Sequence, residues 1–297
     1  MGNGIIIKAL SGFYYVKDRE SLDTYECRAR GKFRKDDFSP LVGDYVEYSA
    51  TENGKGVVDA ILPRKNSLVR PPVANIDKLF VVAAAAEPAP NTFVIDKMIM
   101  NAENNKIEPI IVVNKCDLSP DFEDFANIYR KCGFCVICVS AATGKGIDLL
   151  RNEISGSVCA FAGNTGVGKS SIINALEPSL TLDTGEISDK LGRGRHTTRH
   201  IQLYSAAGGY IADTPGFSSF DMDKCGFVHK DNVQFCFREF EPYITKCKFT
   251  SCSHTKEKGC AIIDAVKCGD IPRSRFESYC RFYEESAAVP DWQLKLL

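Results

Sequence analysis

One stretch of the chain has glycines, a lysine and a serine spaced to hold phosphate: Gly163-Asn164-Thr165-Gly166-Val167-Gly168-Lys169-Ser170. It fits G-x-x-x-x-G-K-[S/T] and lies between an apolar run, Val158–Ala162, and a helical pattern, Lys169–Leu176. The glycines let the backbone curl so that successive N–H groups face phosphate oxygens. The helix N-terminus adds positive potential at the same place. Lys169 is placed to reach β- and γ-phosphates, and the Ser170 hydroxyl to ligate Mg²⁺, with Ser171 assigned to the same nucleotide site.

Asn114-Lys115-Cys116-Asp117 follows a second apolar run, residues 110–113. The Asp117 carboxylate can accept hydrogen bonds from guanine N1–H and the exocyclic amine. Adenine offers neither donor there, a loss that discriminates by roughly 10⁴ or more. Alone, this tetrapeptide also recurs in turns; beside a phosphate loop it reads as a guanine site. Ser140-Ala141 follows the run 136–139 and is similar to the loop whose backbone N–H binds guanine O6. Asp213-Thr214-Pro215-Gly216 has the form D-x-x-G, with Asp213 directed to Mg²⁺ through water and the Gly216 N–H to the γ-phosphate. Between the two, Thr198 or its neighbour Thr197 is placed to ligate Mg²⁺ and close over the γ-phosphate. Phe217 stands where many GTPases carry a water-orienting Gln. His196 is therefore the candidate for orienting the attacking water, a backbone-bonded His being the alternative.

The motif set is complete, but the guanine-reading segments precede the phosphate loop. Sheet packing depends on which strands are adjacent in space, so a rotated chain order is tolerable where termini lie close. The order leads the D-x-x-G segment directly into the C-terminal region, and nucleotide state is expected to reach that region.

Cys247-x₄-Cys252-x-His254-x₅-Cys260 supplies four ligands for a closed, structural Zn²⁺ site. Cys132, Cys135 and Cys138 read instead as strand-packing thiols. With 13 cysteines and no secretory pattern, metal ligation and core packing are expected in place of disulfides.

The elements that must position these groups fall into three stretches. Residues 1–66 hold short aromatic and β-branched runs punctuated by Gly and Asn-Gly, the pattern of a small barrel. Residues 67–220 alternate buried-strand runs (79–86, 110–113, 136–139, 158–162) with helical patterns at 93–100, 122–129 and 147–154. Such βα repeats predict a mostly parallel sheet. Residues 221–297 are irregular, basic and Cys-rich, with helices expected at 235–240 and 275–285. Their apolar content is read as low enough to need a metal staple. Net charge is −1, so bulk electrostatics gives no nucleic-acid signal, although residues 246–275 carry seven Lys or Arg against three acids. No apolar run reaches the roughly 20 residues of a membrane span, and a cytoplasmic location is expected.

The order NKCD, SAA, GNTGVGKS, GRHTT and DTPG, followed by the Cys₃His cluster, resembles the ribosome small-subunit-dependent GTPase A (RsgA, YjeQ or YloQ) family. Leu41-Val42-Gly43-Asp44 and the segment from Arg70 to Asn75 are similar to that family as well. The resemblance implies a multi-domain α/β protein: an N-terminal OB-fold barrel, a circularly permuted P-loop GTPase and a C-terminal zinc-binding domain. It implies GTP hydrolysis with Mg²⁺, stimulated by the small (30S) subunit, contact with 16S rRNA, a role in late maturation of that subunit, and a histidine in catalysis matching His196. A monomer is the expected state.

Overall fold

The computed structural model describes residues 1–31, 33, 39–68, 72–120, 122–180, 201–213 and 227–290. His196, Thr197, Thr198 and Gly216 lie outside the described residues, as does the side chain of Asp213.

The first unit is a closed five-stranded barrel: β1 (Gly2–Leu10), β2 (Phe13–Asp18), β3 (Thr24–Ala29), β4 (Tyr45–Ala50) and β5 (Lys55–Ile61). Ser11 and Gly12, both at positive φ, make the two-residue turn whose twist suits a β1–β2 hairpin. Strand β3 pairs parallel with β5, and β4 returns to β1, so no barrel edge is left open. The β5 strand has no clear sequence signal, because Gly56 and Asp59 interrupt its apolar pattern. In the barrel, Asp59 is met by the Ser49 hydroxyl (2.6 Å) and by Arg30 (2.6 Å).

A two-stranded ribbon, β6 (Ser67–Leu68) with β7 (Val73–Ala74), connects the barrel to the next unit. Here Leu41-Val42-Gly43-Asp44 finds its structural purpose. The buried Asp44 carboxylate accepts two bonds from Arg64 (2.7 and 2.8 Å) and one from the Leu41 N–H (2.7 Å). Asn75, at positive φ, donates to the Gly43 carbonyl (3.0 Å) and accepts from the Lys65 N–H (2.9 Å).

The central unit alternates β8 (Lys78–Ala84), α1 (Thr92–Asn104), β9 (Glu108–Asn114), α2 (Phe122–Lys131), β10 (Cys135–Cys138), α3 (Ile147–Ile154), β11 (Val158–Ala162), α4 (Lys169–Leu176) and the hairpin β12 (Gln202–Ala206), β13 (Gly209–Asp213). Spatial order is β10-β9-β8-β11-β13-β12, parallel except for β12. Strands β8, β9 and β11 are buried almost throughout, because helices cover both faces. The sheet does not stop at β12. Lys8 of β1 pairs with Gln202, Lys17 donates to the Ser205 hydroxyl (3.0 Å), and one 11-stranded sheet runs from the central unit into the barrel. An irregularity between Ile6 and Lys8 bends β1 so that one end closes the barrel and the other meets β12.

The C-terminal unit holds α5 (Ala261–Lys267) and α6 (Arg273–Ala287). The helix expected at 235–240 is replaced by two 3₁₀ turns, Gln234–Cys236 and Arg238–Phe240, because Phe237 takes an extended backbone between them. Phe237 and Phe240 then turn inward against Tyr279 and Phe282. The unit is thus richer in apolar packing than its sequence suggests. Its aromatic core includes Met100 and packs Phe93, both from α1, so it is docked on the central unit. At that junction Arg275 is buried, with bonds to Asp96 of α1 (2.7 Å) and Glu239 (2.7 and 3.3 Å).

Candidate nucleotide and metal sites

The phosphate loop leaves the C-terminal end of β11 and enters α4, at the edge where parallel-sheet proteins place ligands. Gly163, Gly166 and Gly168 all have positive φ. Lys169 folds back to donate to the carbonyls of Gly163 (2.8 Å) and Asn164 (2.9 Å). Burial pushes its pKa below the usual lysine value, so the loop holds a partly desolvated cation that an anionic phosphate would stabilise.

Asn114 ties three motifs together. Its Nδ2 donates to the Val167 carbonyl of the phosphate loop (2.9 Å), and its Oδ1 accepts from the Ala141 N–H (3.2 Å). Lys115, at positive φ, donates to the Gly166 carbonyl (2.9 Å) and to the Glu87 carbonyl (2.5 Å). The Cys116 N–H donates to Val139 (3.2 Å), which leaves the Asp117 carboxylate exposed at the rim. Ser140 is buried, and its hydroxyl accepts from the Thr143 N–H (3.2 Å), shaping the loop that presents Ala141. Segments 49 residues apart in sequence (Asn114 to Gly163) are thus brought side by side, the NKxD tetrapeptide against the phosphate-loop motif. Ser170 and Ser171 open α4 beside that cradle, and Ser170 has the position to hold Mg²⁺. Asp213 closes β13 opposite Gln202.

Gly168 shows how little slack the frame has. A Cβ there would lie 2.3 Å from Asn114 Nδ2, at a φ of +93° that disfavours side chains. Gly168→Ala is expected to weaken guanine-nucleotide affinity by about tenfold or more, since backbone strain and a displaced Asn114 each cost of order 1–3 kcal/mol. Titration with a fluorescent GDP checks this; wild-type affinity would refute the coupling.

The Cys₃His donors also converge. Cys247, Cys252, His254 and Cys260 place their ligand atoms within 4.8 Å of one another. Cys247 and Cys260 sulfurs are 3.9 Å apart, and His254 Nδ1 lies 3.5 and 3.4 Å from them. Tetrahedral ligation at ordinary Zn–S lengths requires sulfurs about 3.8 Å apart, so the donor set fits. Sequence reading missed Gln234, whose Oε1 lies 2.9 Å from His254 Nε2. With Nδ1 ligating a metal, Nε2 would carry the proton and donate to Gln234, which would fix the ring. Twenty residues separate the pair, and no local pattern signals it. Gln234→Ala is expected to lower zinc affinity about 10–100-fold, measured by chelator competition; unchanged affinity would remove Gln234 from this role.

Among the described residues no second metal cluster forms. Cys132 is buried and bonded to the Ile128 carbonyl (3.2 Å), as packing requires, whereas Cys135 is exposed on β10 and does not pack into the core.

A P-loop joined to an NKxD strand, on a sheet whose chain order is rotated, defines a circularly permuted GTPase. The family described as RsgA GTPase matches residues 61–223, and the RsgA N-terminal domain matches residues 3–58. The small ribosomal subunit biogenesis GTPase RsgA of Caldanaerobacter subterraneus subsp. tengcongensis is 45% identical over 285 residues, 95% of each chain. That of Geobacillus sp. is 45% identical over 290 residues, 96% of this chain and 97% of the relative. The crystal structure of YjeQ from Thermotoga maritima superposes with a TM-score of 0.86 at 34% identity, covering 97% and 99% of the two chains. YloQ, a circularly permuted GTPase, gives 0.81 at 35% identity, covering 97% and 95%. The chain belongs to the RsgA GTPase family.

Proposed function

We propose that the protein hydrolyses GTP to GDP and phosphate on the small (30S) ribosomal subunit, that the subunit stimulates the reaction, and that the cycle assists late maturation of that subunit. The observation that carries the reading is Asn114, whose side chain couples the phosphate loop to the guanine-side loop. The names of the relatives support the partner. In this reading Asp117 reads the base with the Ala141 N–H, residues 163–171 hold the phosphates, and Ser170 and Thr198 (or Thr197) ligate Mg²⁺, which neutralises phosphate charge when bound. Asp213 holds Mg²⁺ through water, the Gly216 N–H reports the γ-phosphate, and His196 orients the attacking water. Cys247, Cys252, His254 and Cys260 hold one structural zinc ion. The barrel (1–66), G domain (67–220) and zinc domain (221–297) act as a cytoplasmic monomer that touches 16S rRNA. No described helix is long and apolar enough to cross a membrane.

The test is GTP turnover across a titration of purified 30S subunits, with 50S as control. Turnover that rises to saturation with 30S alone is expected. A flat response, or an equal response to 50S, would sink the reading.

A further inference from the structure

A groove of about 560 Å³ lies where the central and C-terminal units meet, and no residue of the nucleotide site lines it. Phe235, Phe237 and Ile244 give it apolar walls, and Glu103 of α1, Arg238 and Glu241 give it charge. The local chain explains why a phenylalanine stands outside. In the 3₁₀ turn Gln234–Cys236, three successive side chains point in three directions. Cys236 is buried, Gln234 reaches His254 (2.9 Å), and Phe235 is left 65% exposed. The charge of the groove is one-sided. Arg238 is the one cation in the lining, and its guanidinium is fully engaged. It bonds to Glu103, donates to both Glu108 oxygens (2.9 and 2.5 Å) and covers the Phe134 ring at 4.9 Å. Against it stand the carboxylates of Glu103, Glu108 and Glu241. Glu241 is exposed, and among the described residues no cation meets it. Burial pushes the Glu103 carboxyl above its usual range even beside Arg238, so this end of the groove favours a further positive charge.

We propose that this groove docks a basic polypeptide segment, one large apolar side chain seated against Phe235 and the flanking lysines or arginines facing Glu103 and Glu241. The inference does not depend on how GTP is hydrolysed or on what stimulates it. Charge complementarity selects the partner: the surplus carboxylates repel a nucleic acid or an acidic peptide. The exposed ring selects the form. With Phe237 and Ile244 it offers an apolar pocket that only an anchor of the same kind can fill and dry, so a bare polycation leaves it wet. Because Glu103 lies on α1 and Phe235 on the C-terminal unit, a seated segment bridges the two units.

The zinc-loaded full chain is titrated with a labelled peptide of about a dozen residues, lysines and glycines around one central photo-reactive leucine. Parallel titrations use the same peptide with glycine at the centre, its glutamate counterpart, and an unstructured RNA of similar length. Saturable binding of the leucine peptide is expected, with its crosslink falling on residues 234–245 or on Glu103. Phe235→Ala should weaken that binding about tenfold or more and Phe235→Trp should retain it, with zinc content and GTP turnover unchanged in both. Glu241→Lys should weaken it about 3–10-fold and flatten its salt dependence. No saturable binding of the leucine peptide, equal binding of the glycine peptide, or wild-type affinity in Phe235→Ala would overturn the proposal. RNA or the glutamate peptide bound as tightly, with the same loss in Phe235→Ala, would overturn it as well and give the groove to another class of partner.

Discussion

Asp117→Asn is expected to weaken GTP binding by about 10³-fold or more and to make xanthosine triphosphate the preferred nucleotide. The substitution leaves the frame intact. Cys116 remains bonded to Val139, and Asn114 still bridges Val167 and Ala141. What changes is the sign of one hydrogen bond. A carboxylate accepts from both guanine N1–H and the exocyclic amine; an amide can accept from one and must face the other with its own N–H donors. The mismatch leaves polar groups without partners where the bound base excludes water. Xanthine carries a carbonyl in place of that amine, so the amide accepts from N1–H and donates to the new oxygen. Competition between the two nucleotides, read by binding and by turnover, checks the exchange. GTP affinity within about threefold of wild type would show that Asp117 does not reach the base, and the guanine assignment would fall with it.

The second large effect lies at the junction between the central and C-terminal units. Arg275→Met is expected to loosen docking of residues 227–290 by about 3–5 kcal/mol, because it strands Asp96 and Glu239 in a buried site. Burial already pushes the Asp96 carboxyl above the usual range, even with the guanidinium of Arg275 beside it. Without that cation, one or both acids must take up a proton or find water. Amide exchange across α5 and α6 should accelerate roughly 10²-fold or more if the unit opens as a body. A triple variant that also carries Asp96→Asn and Glu239→Gln should recover much of the protection, since no charge is then left unpaired. Unchanged exchange in Arg275→Met would show that the aromatic core formed by Phe237, Phe240, Tyr279 and Phe282 holds the junction alone. A firmly held junction also bears on nucleotide signalling. Any effect of nucleotide state on the C-terminal unit must work against this buried triad or move the unit together with α1.

The central sheet was legible because burial on both faces leaves a near-continuous apolar run, as in residues 79–86 and 110–113. The strand β8 ends at Ala84, two residues before its apolar run does. The barrel was legible only in part. Strands β1 to β4 carry aromatic and branched residues, but β5 contains a glycine and an aspartate whose partners, Ser49 and Arg30, come from elsewhere in the barrel. The region 235–240 shows the opposite error. Its apolar spacing suits a helix, yet the same phenylalanines are served better by two turns that aim Phe237 and Phe240 at α6. Periodicity reports which side chains seek burial and not which neighbour buries them.

By itself the sequence determined which segments could do chemistry: the phosphate-loop motif, the NKxD tetrapeptide, the rotated motif order and the Cys₃His set. These are short segments whose function requires particular residues at fixed spacing, so the spacing survives in the linear chain. The tertiary structure decided what joins them. Asn114 bridging to Val167 and Ala141, Gln234 holding His254, Arg275 clamped by Asp96 and Glu239, and β1 running on into β12 are contacts between residues far apart in the chain. No local pattern encodes such pairs, because each residue type is ordinary in its own segment and gains its role only when packing brings the partner within hydrogen-bond reach.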